Sequence, residues 1–212
     1  MVQESFPKIL LEGYENFRTN RYSEERARYL KLGDGQKPKT MIIACCDSRA
    51  APETIFDAGP GELFVVRNVA NLVPPYAPDG KNHSTSAALE FAVIALQVTH
   101  VVVMGHAQCG GIKAACTHDF NPLSAGDFIG KWISDIKDVV TNAHLPHEAT
   151  DSEKQMHYEH ASVVHSLMNL RTFPWIASRE REGKVTLHGA WFGVAQGELH
   201  IYDEAANSWD KI

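Results

Sequence analysis

The stretch TMIIACCDSRAA, Thr40 to Ala51, decides how this chain folds and where its chemistry lies. Thr40 to Ala44 is apolar on successive residues rather than on alternating ones, the pattern of a strand in a parallel sheet covered on both faces. The run then stops at a thiol, a carboxylate, a hydroxyl and a guanidinium. A second apolar run, VVVM from Val101 to Met104, ends the same way in GHAQCGG, which puts His106 and Cys109 in the loop and helix start that follow. Ligands of doubly wound sheets gather outside the carboxyl ends of strands, where the winding reverses. Two such ends are expected to face each other here.

Cys45, His106 and Cys109 then converge as three soft ligands. Two thiolates and an imidazole suit zinc, and the short H-x-x-C spacing lets both side chains reach one ion from a loop entering a helix. Structural zinc usually takes four protein ligands, often as two short-spaced pairs, whereas here the first thiol stands far from the second pair. Asp47 lies two residues beyond Cys45, and Arg49 two beyond Asp47, so an extended segment places all three on one side. Arg49 can hold Asp47 bidentately. The carboxylate then has two possible jobs, binding the metal or accepting a hydrogen bond from a metal-bound water, and only the second leaves a catalyst. Cys46 is the alternative first thiol, but the two-residue step to Asp47 favours Cys45. Cys46 and Cys116 read as small packing residues.

C-x-D-S-R as Cys45, Asp47, Ser48 and Arg49, with H-x-x-C-G-G as His106, Cys109, Gly110 and Gly111, resembles the β-class carbonic anhydrases. The intervening GELFVVRNVANLVPPY, Gly61 to Tyr76, is similar to the same family, and the dense match runs from about Gln36 to Gly111. The resemblance implies one zinc ion per subunit on Cys45, His106 and Cys109, and reversible hydration of CO2 to bicarbonate and a proton by zinc-bound hydroxide. It implies Asp47 and Arg49 as catalytic residues and a small pocket with Gln36 as donor and Phe64, Val69 and Phe91 as walls, shared between two subunits. Gly110 is among its substrate-binding positions. The bicarbonate-inhibited branch of the family places Trp, Gly and Val where this chain has Ile42, Ala44 and Ala50, so the plant-type open site is expected, with Asp47 off the metal at neutral pH. Because two thiolates cancel the charge of zinc, the bound water is less acidified than at an all-histidine site, and better activity is expected on the alkaline side.

The chain of 212 residues can bury a full core as one domain, 1–212, with residues 1–35 as a helical arm. The arm packs on its own sheet or on a partner subunit, and the resemblance favours the partner. A homodimer or a dimer of dimers is implied in the same way. A formal charge of −6 argues against nucleic acid or an anionic membrane as partner. The amino terminus has no basic segment followed by a long apolar core, and no stretch approaches a membrane span, so a cytoplasmic protein is expected. Zinc thiolates fit that setting better than two disulfides.

The expected fold is α/β, a mostly parallel central sheet with an antiparallel edge strand, flanked by helices and preceded by the arm. Phe6 to Asn20 has helical spacing, and Ser23 is expected to cap a second helix. Pro52 to Phe56 reads as a helical turn, Glu62 to Arg67 as a strand, Asn68 to Gly80 as a loop, His83 to Gln97 as a helix and His100 to Gly105 as a strand. Gly110 and Gly111 allow close backbone approach, with free amides stabilising the Cys109 thiolate. Gly126 to Ala143 carries a helical apolar stripe. The polar stretch His144 to Lys154 leads to a helix that runs past Leu170 until Pro174 stops it. Val185 to Phe192 and Glu198 to Asp203 read as an antiparallel hairpin at the edge of the sheet. His83, His118, His157, His160 and His165 are candidate proton shuttles by their ordinary pKa.

Two other readings remain open on sequence. Hydrolysis of carbonyl sulfide or carbon disulfide would use the same ligands on the same scaffold. A non-catalytic zinc or nucleotide module is the other; the lack of a phosphate-binding glycine motif argues against the nucleotide, and Asp47 with Arg49, unless merely a structural salt bridge, argues against an inert zinc.

Overall fold

The computed structural model describes residues 5–117, 120–141 and 148–212. Met41 to Cys45 are withdrawn from solvent on both faces of the strand that holds them, β1 (Thr40–Cys45). β2 (Leu63–Asn68) and β3 (His100–His106) run parallel to β1 on either side of it, and β4 (Thr186–Gly193) runs parallel to β3. β5 (Glu198–Asp203) and β6 (Ser208–Lys211) follow antiparallel, giving one six-stranded sheet in the order β2-β1-β3-β4-β5-β6. The sheet is the mostly parallel one expected. Its far edge is β6 rather than the hairpin strand β5.

Two compact units divide the chain, Met1–Lys37 and Pro38–Ile212. In the first, α1 (Lys8–Thr19), α2 (Arg21–Glu24) and α3 (Arg26–Leu32) bury no residue, and Phe17, Tyr22 and Tyr29 form a cluster with ring centroids 5.1 to 6.0 Å apart. Ser23 is not a cap. It lies inside α2, and α3 starts after Glu25 without a side-chain cap.

In the second unit, α4 (Pro52–Ile55) opens with proline at its first turn, where the missing N–H costs nothing. α5 (Ser84–Glu90) passes into a wider turn over Phe91–Ala95, where the Leu96 N–H reaches back five residues to Phe91. The helix expected through Gln97 therefore ends in a π-bulge, and Gln97 leaves it at φ 56°. α6 (Gly110–Cys116) follows β3, and α7 (Phe128–Thr141) carries the apolar stripe Ile133, Ile136 and Val140 into a core with Ile112 and Ala115. The last two residues of the helix expected over 126–143 and the start of the polar stretch fall outside the described residues.

α8 (Asp151–Leu170) begins earlier than expected, because Thr150 and Glu153 form a reciprocal capping box. It ends before Pro174, which opens a further helix, α9 (Pro174–Arg181), that the sequence reading missed. Val163, Leu167 and Leu170 of α8 pack with Met41, Ile43, Val101 and Val103 of the sheet. Each such fully buried aliphatic side chain contributes about 1.5–3 kcal/mol. At Gly105 a Cβ would lie 2.9 Å from Val163 Cγ2, so this strand position accepts only glycine if α8 is to approach so closely. Among the described residues no helix is long and apolar enough to cross a membrane.

Candidate metal centre

The parallel register puts Ala44 opposite Met104 and both strand ends at the same edge of the sheet. Cys45 closes β1, His106 closes β3, and Cys109 is the residue before α6, so three donors arrive from two neighbouring strands. Their ligand atoms all lie within 4.8 Å of one another, and all three residues are buried. The sulfurs of Cys45 and Cys109 are 3.9 Å apart. Two sulfurs each ~2.3 Å from one tetrahedral zinc would stand roughly 3.8 Å apart, so the spacing fits that ion without rearrangement.

The imidazole supports the same conclusion. His106 Nδ1 is 3.0 Å from the Ala107 carbonyl, which fixes Nε2 as the free nitrogen. Nε2 is buried and finds no hydrogen-bond partner among the described residues. A lone nitrogen in that position is costly unless it ligates something.

Backbone donors support the sulfurs. The Ala70 N–H donates to Cys45 Sγ at 3.3 Å, and Ala70 reaches it by adopting φ 65°. The Cys109 contact, against the opposing effect of burial, draws the Cys45 thiol down to about 4, with His106 and the amides of Asp47 and Ala70 adding to it. Cys109 is pushed well up, by Cys45 first and burial second, while the amides of Ile112 and Gly111 pull the other way. Each sulfur thus disfavours a second charge on the other, and the pair is driven to keep a proton between them. Burial lowers His106, but Cys45, the Ala107 carbonyl and Asp47 together outweigh it and the net shift is upward.

Asp47 stands beside this group. Its Oδ1 accepts from the Arg49 backbone N–H at 3.0 Å and from Nε at 2.9 Å, and Oδ2 accepts from Nη2 at 2.6 Å. These bonds hold the carboxyl well below the usual carboxylate range. Oδ2 is also 3.9 Å from His106 Nε2, so the pinned oxygen faces the space between the ligands. Arg49 in turn donates to the Gln108 carbonyl at 3.2 Å.

The remaining sequence candidates are less gathered. Phe64 and Phe91 pack on each other at 5.9 Å, with Phe91 half exposed. Val69 lies on the loop after β2, where its carbonyl accepts from Trp132 Nε1 at 2.7 Å. Gln36 belongs to the first unit. The close approach expected at Gly110 and Gly111 belongs to Gly111 alone: a Cβ there would meet Val69 and Ala70, whereas one on Gly110 would meet nothing. Cys46 does not pack but is exposed, its N–H bonded to the Asn68 carbonyl, while Cys116 does pack beside Ile112 and Ile133. Of the shuttle candidates, His83 and His165 are tied to Asp79 and Asp135, His160 is stacked on Trp209, and His118 lies outside the described residues.

Several supporting residues escaped the sequence reading. Arg67 donates to the carbonyls of Cys45 and Asp47 at 2.7 and 2.6 Å, fixing the segment that carries ligand and carboxylate. Glu159 of α8, 2% exposed, accepts from the Cys109 N–H and from Trp191 Nε1, both at 2.9 Å. Burial pushes its carboxyl up, with Gln155, the Cys109 amide and Trp191 resisting. The signal was a carboxylate at helical spacing from Val163 and Leu167, on the buried face of the helix.

A mostly parallel α/β unit that presents two cysteines and a histidine at adjoining strand ends, with an arginine-held aspartate beside them, defines a metalloprotein of the carbonic anhydrase kind. The Carbonic anhydrase family model matches residues 40–199. The chain belongs to the β-class carbonic anhydrase family. It is 38% identical over 183 residues to Beta carbonic anhydrase 5, chloroplastic, of Arabidopsis thaliana, covering 83% of this chain and 58% of that protein. The chain therefore spans less than two thirds of that relative's length. Among solved structures, the β-carbonic anhydrase CcaA superposes with a TM-score of 0.85 at 28% identity, covering 95% of this chain and 97% of that one. A tetrameric β-carbonic anhydrase from Sordaria macrospora gives 0.78 at 26% identity, covering 91% and 94%.

Proposed function

We propose that this chain holds one zinc ion on Cys45, His106 and Cys109 and catalyses the reversible hydration of CO2 to bicarbonate and a proton. The observation that carries the reading is the buried, unpartnered Nε2 of His106 beside two sulfurs at zinc-like spacing, with Asp47 tied back by Arg49. Bound there, zinc supplies Lewis-acid activation of water near neutral pH. Cys45 and Cys109 bring two negative charges to the centre, which weakens that activation and leaves more for Asp47 to do. Asp47, ionised across the working range, accepts a hydrogen bond from the attacking water and turns a lone pair toward the substrate carbon. Arg49 keeps the carboxylate in place and off the ligand position. Activity should accordingly rise on the alkaline side.

The relatives and neighbours reported above carry carbonic anhydrase names, which favours CO2 over its sulfur analogues. We also infer self-association. β2 is an open sheet edge, and Phe91 and Ile94 near it are 50% and 44% exposed, an apolar surface that a second copy would cover. On this reading Phe64, Val69 and Phe91 are the pocket walls and Gly110 a substrate-binding position.

The test is stopped-flow CO2 hydration with metal analysis on wild type and Asp47→Asn. The expected result is one zinc per chain in both, with turnover of the variant reduced about 10²- to 10⁴-fold, the range for a positioned acid–base group. Zinc-loaded wild type inert toward CO2, or a variant of undiminished turnover, would refute the proposal.

A further inference from the structure

We propose that Glu159, with Gln155 one turn before it on α8, is a positioning residue that fixes the backbone of Cys109 for metal binding; this rests on the zinc reading above. α8 holds Cys109 by both of its peptide groups. The Cys109 N–H donates to Glu159 Oε1 at 2.9 Å, and the Cys109 carbonyl accepts from Gln155 Nε2 at 3.2 Å. Gln155 also donates to Glu159 Oε1 at 2.8 Å, so the two side chains brace each other. Trp191 Nε1 occupies Oε2 at 2.9 Å.

Three features make this more than packing. A carboxylate only 2% exposed, with three N–H donors and no salt bridge among the described residues, is an expensive way to fill a helix face. The residue it holds follows a strained one: Gln108 sits at φ 55°, a conformation non-glycine side chains adopt at a cost of about 1–2 kcal/mol. Strain of that kind persists only where neighbours over-determine it, and Glu159, Gln155 and the Arg49 bond to the Gln108 carbonyl do so. Finally, the Cys109 N–H is not one of the amides turned toward its own sulfur, which come from Gly111 and Ile112, so without Glu159 it would be buried and unmet. Partners of this outer kind aim a ligand as surely as its own rotamer does.

Glu159→Gln separates positioning from packing. The amide keeps the shape but has one acceptor oxygen, so it cannot meet both Cys109 and Trp191; one N–H is left facing an NH2 group. Zinc affinity, measured by competition with a chromophoric chelator, should fall about 10- to 100-fold, while melting of the metal-free proteins shows how much stability alone has changed. Adding Trp191→Phe to the Glu159→Gln protein removes the competing donor and should restore most of the lost affinity. A purely structural role would lower the metal-free melting temperature yet leave zinc affinity and its rescue untouched, and that result overturns the proposal. Should Glu159→Gln not fold, Gln155→Met carries the test: zinc binding weakened at least threefold supports the clamp, and unchanged binding refutes it. If wild type itself takes up no zinc, the metal reading has failed before any variant is compared.

Discussion

Gly111→Ala is the substitution that most directly probes how the loop after β2 and the start of α6 share the centre. The added Cβ would lie 2.8 Å from Val69 Cγ1 and 2.9 Å from Ala70 Cβ. Val69 is 38% exposed and can turn away, but Ala70 is fully buried and its Cβ moves only with the backbone. Reaching ordinary contact at ~3.5 Å requires a backbone shift of roughly half an ångström. Overpacking of this kind costs about 1–3 kcal/mol, which at about 2–4 °C per kcal/mol for a chain of this size lowers the melting temperature by about 2–12 °C. The displaced group is the one whose N–H donates to Cys45 Sγ. Full loss of that bond to a charged sulfur removes about 1.5–3 kcal/mol, or about 10- to 150-fold in zinc affinity. Differential scanning fluorimetry with and without zinc, together with chelator competition, reads both quantities. A Gly111→Ala protein that melts with wild type and binds zinc as tightly would show that the Ala70 loop does not support the thiolate.

Two further outcomes follow from protonation. The raised Cys109 keeps its proton in the metal-free chain, so zinc uptake must expel at least one proton, and affinity should drop about tenfold or more per unit as pH falls from 8 to 5; an affinity flat across that window, or no acidification of a weakly buffered solution on zinc addition, contradicts the shared-proton pair. His160, buried against Trp209 with His157 and His200 nearby, is lowered by burial from 6.5 to about 3. Its folded pKa lies below the unfolded one, so the unfolded chain takes the proton first; stability is complete above 6.5 and drains as pH falls toward 3, by roughly 2–3 kcal/mol at pH 4.5. Urea unfolding at pH 7.5 and 4.5 should show His160→Phe losing less stability than wild type by that amount, and equal losses would place the acid sensitivity elsewhere.

The parts of this molecule legible in its sequence are those written in local pattern. β1 and β3 show as unbroken apolar runs because both faces of a parallel sheet are covered, and the candidate ligands show because Cys45 and His106 end such runs and Cys109 follows within three residues. The supporting groups are legible only in three dimensions. Glu159 is 50 residues from Cys109 in the chain, and nothing local marks its oxygen as the acceptor of that amide. Ala70 would be read as an ordinary small residue, since its φ of 65° is imposed by the thiolate and by the absence of a Cβ at Gly111. β6 was missed because SWDK offers a single apolar side chain, Trp209, and takes its register from pairing with β5. The capping box at Thr150 is readable as T-x-x-E, but the polar stretch around it masks the helix start.

One helix, α8, carries the carboxylate that holds the Cys109 amide at its middle and the core residues Val163, Leu167 and Leu170 along the half that follows. At 1.5 Å per residue Val163 lies about 6 Å and Leu170 about 16 Å along the axis from Glu159, so a slip of the helix moves carboxylate and core residues together. An exchange at those aliphatic positions that slides the helix is therefore expected to weaken zinc binding even when the interior repacks without a void.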